Sequence, residues 1–277
     1  MEESRSRRDG DGETRDKRAI VDLRDLEAEL AAVMAADLPA EELRARLVAI
    51  LKAAMTRGDE AIRRHFETEL SGTRAVRERC ILVDQILRAV YDFASEHLYP
   101  LGSVSSGERL ALIAVGGYGR GELAPYSDVD LLFLMPYKVT PRSEQVIEST
   151  LYLLWDLGFK VGHAVRSVDD CMRQAKADMT IRTNLLEKRF LCGDRELFQE
   201  LWQRYQKALQ GGTGIDFIDA KLAERDRRHE RLGGSRYLLE PNIKEGKGGL
   251  RDLHTLFWIA KYTYRVNDIA ELVPRYR

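Results

Sequence analysis

Cysteine is scarce in this sequence: Cys80, Cys171 and Cys192 are the only three, widely spaced and without a CxxC pair. That excludes a disulfide framework and leaves reduced core thiols as the expectation. Apolar runs are short, none near the roughly 20 residues that a bilayer-crossing helix requires. The first residues lack the apolar core of a secretory signal, so a cytoplasmic protein with no membrane partner is expected. Net charge is almost absent, −1 at pH 7 from 44 basic and 45 acidic residues. With so weak a global field, nucleic acid is not an expected partner. Two nucleotide-binding signatures are missing as well. GxxxxGK(S/T) does not occur, and no GxGxxG opens a long helix, which excludes a Walker loop and a dinucleotide fold.

What remains is ordinary globular material: 277 residues, 44% hydrophobic and 32% charged. That is enough chain to bury a core. Residues 1–19 are nearly all charged or small and are expected to form a disordered tail. Residues 20–104 read as a helical lead-in. Leu23, Leu26 and Leu30 recur at helical spacing, as do Leu43, Leu47, Ile50 and Leu51 after Pro39. Val76, Cys80, Val83, Leu87 and Val90 make a third apolar stripe, closed by Tyr99-Pro100.

Residues 105–192 change in texture. Arg109–Val115 and Val129–Met135 are short apolar runs bounded by turn residues, the pattern of buried strands. Val146 to Leu157 predicts a helix ended by Gly158, and Phe159–Val165 predicts a third strand. From about residue 168 the helical period returns and runs to the end, so residues 193–277 are expected to be helical. The stretch from Gly211 to Gly214 is an expected loop. The fold class is therefore α+β, a small mixed sheet flanked by N-terminal and C-terminal helical regions.

The chemistry concentrates between residues 116 and 130. Asp128 and Asp130 lie two apart at the head of a strand, which points their carboxylates to one face. Two adjacent carboxylates repel unless a cation lies between them, and hard oxygen ligands suit magnesium. Gly116, Gly117 and Gly119 supply a turn whose backbone N–H groups can approach a phosphate. A short helix starting near Tyr118 would add free donors and a favourable dipole. Ser127 can donate to a phosphate oxygen, and Arg120 can neutralise charge on leaving pyrophosphate.

A strand, a Gly-Gly turn, a short helix and then Ser-Asp-x-Asp on the next strand resemble the DNA-polymerase-beta-like nucleotidyltransferase superfamily. The wording GGYGRGELAPYSDVDLLFL is closer still to the bifunctional uridylyltransferase/uridylyl-removing family of nitrogen signalling. Similar blocks follow in order: VGHAVRSVDDC from Val161, DMTIRTNLLEKRFLCGD from Asp178, and LEPNIKEGKGGLRDLHTLFWIAKY from Leu239. The resemblance spans about residues 75 to 277. It implies magnesium-dependent transfer of UMP from UTP to a tyrosine of the PII regulatory protein, with release of pyrophosphate. It also implies, in a full-length enzyme, a hydrolase domain of the HD type and ACT domains that take glutamine as effector. His65, His97, His163, His229 and His254 form no His-Asp dipeptide, and the chain ends at Arg277. The expectation is thus a portion without removal activity or glutamine response. Other readings are a different acceptor, ATP in place of UTP, or a catalytically silent nucleotide-binding regulator.

The superfamily's third carboxylate has no obvious counterpart; Glu187, Asp178 and Asp169 are candidates. His163 reads as a core or edge histidine. Asp178, Thr183, Asn184, Glu187 and Arg189 lie at helical spacings, as one solvated face or as a base- or ribose-recognition face. Lys244–Asp252 is a phosphate or protein-substrate loop, or a simple link between helices. Arg225, Arg227, Arg228 and Arg231 read as a solvated basic face, or as a docking face for an acidic partner surface. Trp155, Trp202 and Trp258 are expected in the core.

Overall fold

The computed structural model describes residues 20, 23–36, 38–102, 105–210, 214–232, 240, 242–266 and 271. The expected tail at 1–19 and residues 211–213 of the expected loop lie outside them. In chain order the elements are α1 (Leu23–Met34), α2 (Ala40–Glu69), α3 (Gly72–Asp92), a π turn (Phe93–Leu98), β1 (Ala111–Ala114) and a single turn α4 (Gly116–Gly119). Then come β2 (Val129–Met135), α5 (Pro141–Asp156), β3 (Val161–Ser167), α6 (Val168–Ala177), α7 (Met179–Leu186) and β4 (Arg189–Gly193). Three helices finish the chain: α8 (Arg195–Gln210), α9 (Ile215–Arg231) and α10 (Leu250–Tyr264). The architecture is α+β.

Contacts divide the chain into two compact units, one of residues 1–169 and 187–199, the other of residues 170–186 and 200–277. The first unit holds the sheet, in the order β3-β2-β1-β4. β1 runs antiparallel to both β2 and β4, whereas β2 and β3 are parallel. Along β2, Val129, Leu131, Phe133 and Met135 join one continuous core with Leu47 and Leu51 of α2, Leu82 and Ile86 of α3, and Leu154 of α5. α2 and α3 pack closely because Gly58 has no side chain: a Cβ there would meet Leu82 at 2.7 Å. α5 starts at Pro141, ahead of the Val146 that opens the expected stripe, with Thr140 as N-cap, a reciprocal capping box with Ser143, and Pro141 in the first turn.

Two readings are corrected in this unit. β4 interrupts what the sequence predicts as unbroken helix, because RFLCG is only five residues long and its partner strand is about 80 residues away. Trp155 is not in the core. It is 45% exposed on the outer side of α5, edge-to-face with Tyr152 at 5.4 Å.

In the second unit, Phe217 of α9 stacks on Tyr262 of α10 at 4.0 Å. Lys221 is buried, its ammonium 4.7 Å from the ring centre of the buried Trp258 and 2.8 Å from Glu224. Trp202 is half-buried beside Tyr205. Arg228 departs from the expected solvated basic face: it is buried and donates to Asp252. Asp252 also accepts from His229 and, at 2.7 Å, from the Gly248 N–H. The loop from Asn242 is closed on itself. N–H groups of Lys244, Glu245, Gly246, Gly249, Leu250 and Arg251 all donate to acceptors within it. Amides already engaged cannot cradle a phosphate, which counts against the phosphate reading of this segment.

Candidate active site

β1 leads straight into the glycine turn. Val115 donates to Asp130 O at 3.0 Å, and Gly119 and Arg120 close one helical turn back to Val115 and Gly116. The turn thus begins at Gly116, two residues earlier than the sequence suggests, because Gly116 adopts φ +61°, which a residue with a side chain resists. The first N–H groups of such a turn have no acceptor within it. Gly116 and Gly117 are half-buried at that end.

Across from the turn is the acidic pair. Asp128 is exposed just before β2, Val129 is buried and Asp130 is half-buried. Asp130 lies beside Gly162 in the parallel register of β2 and β3. A Cβ on Gly162 would fall 2.5 Å from Asp130 Oδ1, and one on Gly116 would fall 3.1 Å from Oδ2. The carboxylate is therefore seated between two glycines. Ser127 is exposed, its N–H closing a turn onto Ala124 O at 3.1 Å. Within that turn Tyr126 is 94% exposed with φ +66°.

Two residues expected at the phosphates have other duties. Gly119 is buried, and a Cβ there would lie 1.7 Å from Glu187 O, so its bareness serves backbone packing. Arg120 donates to Glu187 at 2.6 Å and to Glu122 at 3.3 Å, which ties the turn to the segment before β4.

Neither candidate for a third carboxylate in the first unit, Glu187 or Asp169, groups with the pair to hold a metal. Glu187 is buried on Arg120. Asp169 follows β3 at the end that pairs with Met135, about 16 Å along the strands from Asp130 at 3.3 Å per residue. Asp178 accepts from Thr180 and Ile181 N–H at the start of α7. Among the described residues, no three of His, Cys, Asp and Glu are grouped to hold a metal. His163 is exposed on edge strand β3, in register with Leu131 rather than with Asp130. With Thr183 and Glu187 buried and Arg189 in β4, the expected single face from Asp178 to Arg189 does not exist.

Behind the turn, the buried Tyr118 joins a network with the half-buried Asp84 and Arg189. Asp84 of α3 accepts from the Tyr118 hydroxyl at 2.7 Å and from Arg189 at 2.5 and 3.0 Å. Arg189 donates in turn to Tyr118 O at 3.1 Å, and its guanidinium lies 5.2 Å from the centre of the Tyr118 ring. Burial, reinforced by the neighbouring Asp84 charge, holds the Tyr118 phenol well above its usual pKa, so it stays a donor. Burial likewise pushes the Cys80 thiol up to about 12 and raises Cys192, which keeps both protonated.

Residues 101–191 match the family described as nucleotidyltransferase domain, and residues 216–276 match that described as GlnD PII-uridylyltransferase. Over 259 residues, 94% of its length, the chain is 55% identical to the bifunctional uridylyltransferase/uridylyl-removing enzyme of Azospirillum brasilense. It is 54% identical over 260 residues to the enzyme of that name from Rhodospirillum rubrum, and 50% identical over 258 residues to that from Erythrobacter litoralis. The chain belongs to the PII-uridylyltransferase family. It spans 28% of the length of each of these three relatives. The nucleotidyltransferase match contains the glycine turn, the acidic pair, Gly162 and Arg189, and it leaves out Asp84. The second match covers α9 and α10.

Proposed function

We propose that the chain transfers UMP from UTP to a tyrosine of the PII protein, in the cytoplasm, and releases pyrophosphate. The observation that supports this best is the seating of the Asp130 carboxylate between Gly116 of the glycine turn and Gly162 of β3. Two carboxylates at the start of one strand, with glycines beside them, fit a hard divalent cation such as magnesium. When bound, that ion supplies positive charge against the triphosphate. Asp128 and Asp130 hold it, Gly116 and Gly117 offer N–H groups to phosphate oxygens, and Ser127 offers its hydroxyl. The tyrosine oxygen attacks the α-phosphorus, the bond to the β-phosphate oxygen breaks, and the phenolic proton leaves to solvent. Positioning and charge compensation carry such a reaction.

The test is pyrophosphate release from each of the four triphosphates, with and without PII, in magnesium. Release from UTP that requires PII is expected. Release with ATP alone, or without PII, would replace the donor or the acceptor in this reading. No release with any pair would leave a nucleotide-binding regulator.

Gly117 gives a sharper check on the phosphate cradle. A Cβ there would meet Arg120 Nη2 at 3.4 Å and Glu122 O at 3.8 Å, ordinary contact distances, so Gly117→Ala should fold normally. It should weaken UTP binding about tenfold, since a methyl group obstructs the close approach of phosphate to backbone. Calorimetry with magnesium decides; unchanged affinity would remove Gly117 from the binding site.

A further inference from the structure

We infer that Asp84 and Arg189 are positioning residues for nucleotidyl transfer, acting through Tyr118 on the glycine turn that receives the triphosphate. The inference rests on the nucleotidyl-transfer reading above and adds to it a part contributed from outside the nucleotidyltransferase match.

Tyr118 is the third residue of a four-residue turn, and the chain grips it at both ends. Its hydroxyl donates to Asp84 Oδ1, and its carbonyl accepts from Arg189. Arg189 and Asp84 are themselves joined by two hydrogen bonds, so the three groups close a ring that spans α3, the turn and β4. A single helical turn has too few internal bonds to hold its own shape. The orientation of its peptide planes, and so of the Gly116 and Gly117 N–H groups, is set by what holds Tyr118. Glycines at 116, 117 and 119 make the segment more pliable still, since they restrict the backbone least.

An apolar contact would have sufficed for adhesion. Burying an ion pair is no more stabilising than packing hydrophobic groups of similar volume, but its hydrogen bonds are directional. Here the directions are used: one carboxylate oxygen fixes the ring, while the guanidinium fixes both that carboxylate and the carbonyl of the turn. Arg189 is also the first residue of β4 and pairs with Ala114 at the end of β1, immediately before the turn. The position of the turn relative to the sheet is thereby set twice.

The test compares Tyr118→Phe, Arg189→Lys and Asp84→Asn in the full chain, with PII as acceptor. Tyr118→Phe keeps the ring and loses only the hydroxyl, so it is the decisive variant if the others fold poorly. Each variant is expected to raise the KM for UTP by about fivefold or more while the KM for PII stays within about twofold, because only the phosphate cradle is disturbed. A purely structural role would lower thermal stability and leave the two KM values in their wild-type ratio; that result in folded Tyr118→Phe would overturn the inference. A wild-type chain that neither binds UTP nor transfers nucleotide would instead overturn the nucleotidyl-transfer reading, and this inference with it.

Discussion

Asp130→Asn is expected to lower the rate of nucleotidyl transfer about a thousandfold, and Asp128→Asn to do the same, with both proteins folded. The amide has the shape of the carboxylate but not its charge, so a cation held by the pair loses a ligand and half of its compensation. Asp130 should be the more sensitive of the two, because its carboxylate is seated between Gly116 and Gly162 whereas Asp128 is exposed. Stability should change little, since neither variant opens a cavity. Steady-state rates alongside thermal melts make the measurement. Either variant retaining more than about a tenth of wild-type activity would remove that residue from the metal site.

Gly162→Ala should separate activity from stability in the opposite sense to an ordinary core mutation. The new Cβ would lie 2.5 Å from Asp130 Oδ1, the far end of a side chain that can rotate away. The fold therefore absorbs the change, and replacing glycine by alanine in extended backbone brings a gain of about 0.4–1 kcal/mol by restricting the unfolded chain. The carboxylate, however, leaves its seat, and displacement of about 1 Å at a reacting centre costs on the order of a hundredfold in rate. A melting temperature at or above wild type together with a large loss of transfer is the expected pair of results. Activity within about threefold of wild type would show that the placement of Asp130 does not depend on Gly162.

What the sequence made visible was local. The stripes of α2 and α3, the runs that became β1, β2 and β3, and the Gly-Gly turn followed by Asp128 and Asp130 all carry their signal within a dozen residues. β4 does not: five residues from Arg189 acquire strand character only by pairing with β1. Arg228 reads as surface because its neighbours are charged, and its burial depends on Asp252, 24 residues on. Asp84 could have been noticed as a carboxylate four residues after Cys80 on an otherwise apolar stripe. Its partners lie 34 and 105 residues away, where no periodicity reaches. Gly162 carried a weak sign, since an isolated glycine in a strand often marks a close approach. What approaches it is known only from the register of β3 on β2. Gly119 and Arg120 both meet Glu187, a contact that the turn's own sequence does not reveal.

The grip on Tyr118 also sets a timetable for synthesis. Arg189 follows Tyr118 by 71 residues. At a ribosomal pace of about 5–20 residues per second, the turn waits roughly 4–14 s after its own residues are made before that guanidinium exists. For most of this interval the nascent chain already carries its glycines and both aspartates, but of the two side chains that grip Tyr118 only Asp84 has been made. If Arg189 positions the turn as inferred above, competence to hold a triphosphate is deferred until β4 has emerged and paired with β1.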